Sequence, residues 1–483
     1  MLTLADILKA LTEKDVILTP QSESWIRFYS SNITDAVIDS RNAIPGSLFV
    51  AFKGENVDGH DYVKDAFQSG ATIALIQRDL SNHFPVLDIR RGLNLEDINH
   101  LAPELPFCLL VEDTIKSLQE IARYWRNKLD LRVIGITGSV GKSTTKEVVA
   151  DVLDQRYCTL KNVGNLNNEI GLPLTLLRST ELHERAVLEM GFYVPGEIAF
   201  LCDLAQPSIG VITNVGTVHA ERAGSQEIIA KGKSELVQSL PRDGYAILNY
   251  DDNLVRQMAD KTQAKVFFYG LDPRADLWAS EIESQGLEGI SLILHYHDNV
   301  IPIRTPLIGR HSVYTALRAA AVGLVECLTW EEIKTGLLSC HAQLRLTSAK
   351  TPSGALILDD TYNASPESTL AALDLLADLK GQKIAVLGDM LELGPYEENG
   401  HALVGKRVSE FVDELITVGR RAHMIAQSAR VNGLAARRIY EYEDSLSAAQ
   451  ALQRRFSEND VVLVKGSRGV HMERIIDSLE LIR

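Results

Sequence analysis

The chain has 483 residues, 45% of them hydrophobic and 23% charged, and carries a formal net charge of −15. That length calls for about two to four domains, each able to bury its own core. The acidic balance excludes a nonspecific nucleic-acid binder, because affinity for phosphate backbones comes from Lys and Arg. A local site can still hold a small anion. Cys108, Cys158, Cys202, Cys327 and Cys340 are scattered, odd in number and without a CxxC pair. Reduced thiols are expected, rather than a disulfide framework or a zinc site. The start MLTLADILKA has no basic region ahead of an apolar run, and no apolar run approaches membrane-spanning length. A cytoplasmic protein with no membrane insertion is expected.

Three regions follow in chain order. Residues 1–112 mix short strands and turns, with strands at GSLFVAF (46–52) and ATIALIQ (71–77) and a loop or insertion at 91–106. TIKSLQEIARYWRN (114–127) reads as an amphipathic helix leading into the buried strand RVIGIT (132–137). Strand and helix patterns then alternate, with strands at 185–190, 208–213, 245–249 and 265–270. A third series runs at 355–360, 383–389, 414–419 and 461–466. Such alternation implies parallel sheets covered by helices, hence an α/β protein. The expected domains are 1–112, a small mixed N-terminal domain; 113–340, a central P-loop-type domain; and 341–483, a Rossmann-like C-terminal domain. Many strands end in a polar residue or Gly, among them Thr137, Glu189, Thr213, Asn249, Asp359, Asp389 and Lys465. Open parallel sheets bind ligands at those carboxyl ends.

The stretch ITGSVGKSTT (136–145) fits a phosphate-binding loop only in part. Gly141, Lys142 and Ser143 match G-x-x-x-x-G-K-[ST], but the first Gly should fall at 136, which is Ile. The context is right: a strand, a turn through Gly138, Ser139, Val140 and Gly141, then a helix entrance bearing Ser143 and Thr144. Backbone N–H groups there favour phosphate; Lys142 would reach the outer phosphates and Ser143 would serve Mg²⁺. Glu189 ends the next strong strand. A carboxylate there suits Mg²⁺, directly or through water, and in isolation would simply be solvated.

Read as a helix at ~100° per residue, positions 225–240 place Lys233 among Ile229, Leu236, Val237 and Leu240, with Lys231 on the opposite side. An inward lysine is costly unless paired or modified; alternatively it snorkels to a surface. A lysine of lowered pKa can take up CO₂ and become a metal-binding carbamate. His219 closes the preceding loop beside the same expected crest. A lone His is ordinarily structural, and its position here favours a ligand.

Together these segments resemble the Mur ligase family of ATP-dependent amide-forming enzymes. TGSVGKSTT is similar to that family's shortened loop, and Lys233 follows His219 at the family's spacing of fourteen residues. Further signatures lie at 39–63, 164–177, DDTYNASPES (359–368), LGDMLELG (387–394) and VKGSR (464–468), so the resemblance covers nearly the whole chain. It implies the member that joins D-alanyl-D-alanine to UDP-N-acetylmuramoyl-tripeptide through an acyl phosphate, in peptidoglycan precursor synthesis. The implied cofactors are ATP and Mg²⁺, and the chain is expected to act as a monomer. By the same resemblance, Ser143 and Glu189 would serve one Mg²⁺, and His219 and carbamylated Lys233 a second. Ser40 and Arg41 would hold the uridine diphosphate end, Asn167 and Asn168 the sugar-peptide part, and Asp360 the ATP ribose or phosphates. Lys465 and Arg468 would face the cleft, or else stand as strand-end charges in solvent. The chain departs from the family's H-N-x-x-N pattern, with Ser312 and Thr315 in GRHSVYTAL; Thr315 cannot supply an amide's paired donor and acceptor to adenine. The rivals are a sibling ligase with another acceptor, a nucleotide-dependent switch that makes no bond, and a UDP-sugar-binding protein with residual ATPase activity.

Overall fold

The computed structural model describes residues 1–12, 30–90, 105–217, 220–340 and 347–481. Most of the expected loop or insertion at 91–106 therefore lies outside the described residues. Two units separate: Met1–Ile134 with Tyr157–Gly191 and Ala199–Pro207, and Gly135–Arg156 with Phe192–Ile198 and Ser208–Arg483.

The first unit contains a five-stranded sheet of β1 (Ala36–Val37), β2 (Leu48–Val50), β3 (Ile73–Ile76), β4 (Val86–Asp88) and β5 (Phe107–Leu110), in the order β1-β2-β3-β5-β4. Its pairings are parallel. β3 and β5 are buried along their whole length, which is why they read as unbroken apolar runs. Helix Thr114–Lys128 begins on Asp113, whose carboxylate accepts from the N–H groups of Ile115 and Lys116. Its apolar stripe Leu118, Ile121, Ala122 and Trp125 is buried, and the Trp125 indole donates to Ser179 O at 2.9 Å. β6 (Arg132–Thr137) carries the chain from this unit into the other. β7 (Thr159–Lys161) and β8 (Arg185–Glu189) pair in parallel within the first unit.

In the second unit β9 (Ile209–Ile212), β10 (Tyr245–Asn249), β11 (Lys265–Gly270) and β12 (Leu277–Ser284) pair in parallel. β13 (Ile290–Tyr296) and β14 (Asn299–Thr305) then continue antiparallel. This antiparallel arm adds strands that the expected alternation did not include. Its strands are half-buried, with alternating exposure along LWASEIES and ISLILHY. A sheet with one wet face carries only a weak apolar signal in the sequence. A second sheet holds β15 (Thr347–Lys350), β16 (Leu356–Asp360), β17 (Gln382–Gly388), β18 (Glu414–Val418), β19 (Ile439–Tyr442) and β20 (Asp460–Lys465). Its order is β15-β16-β20-β17-β18-β19, parallel except for β15. Separate apolar clusters cover its two faces, one built on Leu358, Ala385, Leu415 and Leu463, the other on Ile357, Val386, Ile416 and Val462. This is the doubly covered sheet that the third strand series implied.

Candidate active site

The loop after β6 is fixed by its glycines. Gly138 has φ +149°, and a Cβ there would collide with Thr213 Oγ1. Gly141, at φ +83°, is the left-handed N-cap of helix Lys142–Leu153 and brings no side-chain cap of its own. The loop between them is tied to the end of β9. Val140 N–H donates to Asn214 Oδ1 at 2.9 Å, Thr213 Oγ1 donates to Val140 O at 2.8 Å, and Ser139 Oγ accepts from Gly216 N–H at 2.8 Å. Lys142 folds over the turn, donating to Gly138 O at 2.8 Å and Ser139 O at 3.2 Å. The result is a helix N-terminus with a cation beside it, which is an anion-binding arrangement.

Ser139 to Thr144 line a cavity of about 450 Å³. Thr315, Arg318, His311 and Tyr314 form another part of its wall; Asp360 and Lys465 come to it from the second sheet, and Glu367 from the first turn of helix Pro366–Asp378. Thr315 is buried, and its hydroxyl accepts from Arg318 Nη2 at 3.0 Å. Ser312 donates to Ile308 O at 2.6 Å. Burial pushes the His311 imidazole below its ordinary pKa. Asp360 and Lys465 are opposed in register on the paired strands β16 and β20. Lys465 Nζ donates to Asp360 Oδ2 at 2.6 Å and to Asn363 O at 2.8 Å, so Lys465 is a buried ion-pair partner rather than a solvated strand-end charge. Arg468 lies near the Tyr362 ring, 5.8 Å from its centroid.

Lys233 lies in helix Gln226–Gln238, which Ser225 caps through Ile228 N–H. It is 1% exposed, among the fully buried Ile229, Leu236 and Val237, while Lys231 is exposed. The helical period therefore gave its direction correctly. Its Nζ lies 5.0 Å from the Phe192 ring centroid. Gly232 lets that ring approach, since a Cβ at 232 would collide with it. Burial, reinforced by the Lys142 charge, holds the Lys233 ammonium well below the ordinary lysine pKa. His219 lies outside the described residues.

In the first unit Ser40 is buried in the turn Ser40–Asn42, and Arg41 is exposed and pairs with Asp39 at 2.6 Å. Asn168 Oδ1 accepts from Gly171 N–H at 2.9 Å, which shapes the start of helix Gly171–Leu177. Asn167 Nδ2 donates to Glu189 Oε1 at 2.9 Å, and Glu189 is 2% exposed at the end of β8. Sequence reading missed His311, Tyr314, Arg318 and Glu367. For Arg318 a signal exists: a charged residue one turn beyond Thr315, inside the apolar run TALRAAAV.

Three family models match the chain: "Mur ligase family, catalytic domain" over residues 32–123, "Mur ligase middle domain" over 136–323, and "Mur ligase, glutamate ligase domain" over 344–468. The chain belongs to the Mur ligase family, with its three-domain α/β organisation. It is 36% identical to the UDP-N-acetylmuramoyl-tripeptide–D-alanyl-D-alanine ligase of Bacillus subtilis over 96% of each chain. Among solved structures it resembles MurF from Acinetobacter baumannii, with a TM-score of 0.81 and 29% identity over 99% of this chain and 98% of that one. MurF from Thermotoga maritima in complex with ADP superposes with a TM-score of 0.75 at 28% identity, covering 92% and 97%.

Proposed function

We propose that this chain is an ATP-dependent ligase joining D-alanyl-D-alanine to UDP-N-acetylmuramoyl-tripeptide, with UDP-N-acetylmuramoyl-pentapeptide, ADP and phosphate as products. The observation that carries this reading is the cavity shared by the loop Ser139–Thr144 and by Asp360 and Lys465 of the second sheet, in a chain whose near-full-length relatives bear that ligase's name. The working division into domains runs 1–112, 113–340 and 341–483.

A carboxylate is a poor electrophile. Phosphorylation overcomes this: its oxygen attacks the γ-phosphorus, ADP departs, and an acyl phosphate forms. The amine of D-alanyl-D-alanine then attacks the acyl carbon, and phosphate leaves as the amine loses a proton. Lys142 would turn from the loop carbonyls to the outer phosphates and offset their charge during transfer. The N–H groups after Gly141 would hold the inner phosphates. A closed cavity would keep water from the acyl phosphate.

Mg²⁺ prefers hard oxygen ligands, and two such donors are assigned to it: in the second unit the Ser143 hydroxyl, on the cavity wall, and in the first unit the buried Glu189 carboxylate, which accepts from Asn167. When bound, Mg²⁺ would draw charge from the transferring phosphoryl group. Burial disfavours the Lys233 ammonium, and the free amine is nucleophilic toward CO₂; the N–C bond would form, a proton would be lost, and the carbamate would present two oxygens. With His219 it would serve a second ion. Ser40 and Arg41 are assigned to the uridine diphosphate end, and Asn167 and Asn168 to the sugar-peptide. Thr315 and Asp360 are assigned to the nucleotide. A cytoplasmic monomer acting in peptidoglycan precursor synthesis, and so in cell shape and division, completes the reading. Among the described residues no helix is long and apolar enough to cross a membrane.

The test is phosphate release from ATP and UDP-N-acetylmuramoyl-tripeptide across a panel of acceptors. Release that requires D-alanyl-D-alanine is expected. Release that requires a different amine instead would make the chain a sibling ligase.

A further inference from the structure

One buried cation in the nucleotide cavity has no carboxylate partner among the described residues. Arg318, on helix Val313–Val325, is 3% exposed. Its Nε donates to Thr145 Oγ1 at 2.8 Å, its Nη2 to Thr315 Oγ1 at 3.0 Å, and its Nη1 to the Tyr269 hydroxyl at 3.4 Å. Hydroxyl oxygens satisfy guanidinium N–H groups without neutralising the charge, and a buried charge left uncompensated is unfavourable. Asp251 and Asp252 line the same cavity but turn their oxygens elsewhere. Asp251 accepts from Leu271 N–H and the Tyr314 hydroxyl, and Asp252 from Val215 and Leu254 N–H.

The guanidinium lies against the phosphate loop. A Cβ on Gly141 would stand 3.3 Å from Arg318 Nη2. The same group braces the turn from both ends. Its partner Thr145 donates to Gly141 O at 2.6 Å. Its partner Tyr269 donates to Thr213 O at 3.1 Å, and Thr213 in turn donates to Val140 O. A planar guanidinium at such a place matches phosphate oxygens in charge and geometry.

We propose that Arg318 is a nucleotide-binding residue, its guanidinium supplying a second cation beside Lys142 to the nucleotide's phosphate chain while holding the loop that receives it. The proposal rests on the ATP-dependent reading above and adds a residue to it. Calorimetric titration of the full chain with ADP and with adenosine separates charge recognition from recognition of the base. Arg318→Gln is expected to weaken ADP about 10- to 100-fold and to leave adenosine within about twofold. The ligand-free Arg318→Gln chain should melt no lower than the unmutated one, since it buries no unpaired charge, while its ADP-induced rise in Tm shrinks. Arg318→Lys keeps the charge and should hold the preference for ADP over adenosine within about tenfold of the unmutated chain. Unchanged ADP binding in Arg318→Gln, or equal losses for ADP and adenosine, overturns the inference. If Arg318→Gln does not fold, collapse of the ADP preference in Arg318→Lys overturns it alone. An unmutated chain that binds no ADP would sink the ligase reading together with this inference.

Discussion

Lys233 and Lys465 lie in the same unit and are equally hidden, at 1% and 2% exposure, yet their surroundings are chemically opposite. Lys465 ends a central parallel strand and meets Asp360 at 2.6 Å, so its charge has a counter-charge. Lys233 points into apolar helix packing beside the Phe192 ring, with the positive Lys142 as a further unfavourable neighbour. Burial with a carboxylate gives a structural ion pair. Burial away from water, with another cation nearby, favours the neutral amine, which can react. The difference predicts that one lysine is held for architecture and the other for chemistry, and each can be probed separately.

The largest effects should fall on the chemical side. Lys142→Ala is expected to reduce ATP-dependent phosphate release at least about a thousandfold, through loss of charge neutralisation at the transferring phosphoryl group. Normal turnover in that variant would make the loop decorative. Lys233→Ala should abolish ligation, and an added short carboxylate such as acetate should partly restore it by standing in for the carbamate. Full activity in the unsupplemented variant would remove the carbamate role.

On the structural side, Asp360→Asn leaves Lys465 buried without its counter-charge and should cost about 3–5 kcal/mol in stability. The double variant Asp360→Leu/Lys465→Met should recover most of that in thermal unfolding, because both charges go together. A single variant that melts like the parent would show that the pair carries no structural weight.

The smallest effect is a shift in pH dependence. The Lys233 pKa is depressed, so its amine is neutral above that value and protonated below it. Uptake of CO₂ needs the neutral form, so activity should be held above the depressed pKa and lost as pH falls through it. Phe192→Ala admits water beside the ammonium and should move that acid limb to higher pH. A rate profile that rises only in the ordinary lysine range in the unmutated chain would contradict the burial argument.

Much of this contrast was legible in the sequence on one side only. The helical period alone pointed Lys233 inward, because its neighbours at 229, 236, 237 and 240 lie on one stripe. The loop was legible because strand, turn and helix are contiguous in the chain. The Asp360–Lys465 pair was not: β20 lies between β16 and β17, and strand order is set by how non-adjacent segments pair. The surroundings of Arg318 were hidden for the same reason, since its partners Thr145 and Tyr269 are brought to it from distant elements. The antiparallel arm β12–β14 was lost to its wet face, which dilutes the apolar pattern.

The central claim is a bond made. Mass spectrometry of a reaction containing the chain, ATP, UDP-N-acetylmuramoyl-tripeptide and D-alanyl-D-alanine tests it most directly. The account predicts a species with the mass of the two organic substrates joined less one water, formed only with ATP and lost in Lys142→Ala. Consumption of ATP with both substrates present and no joined species would contradict it.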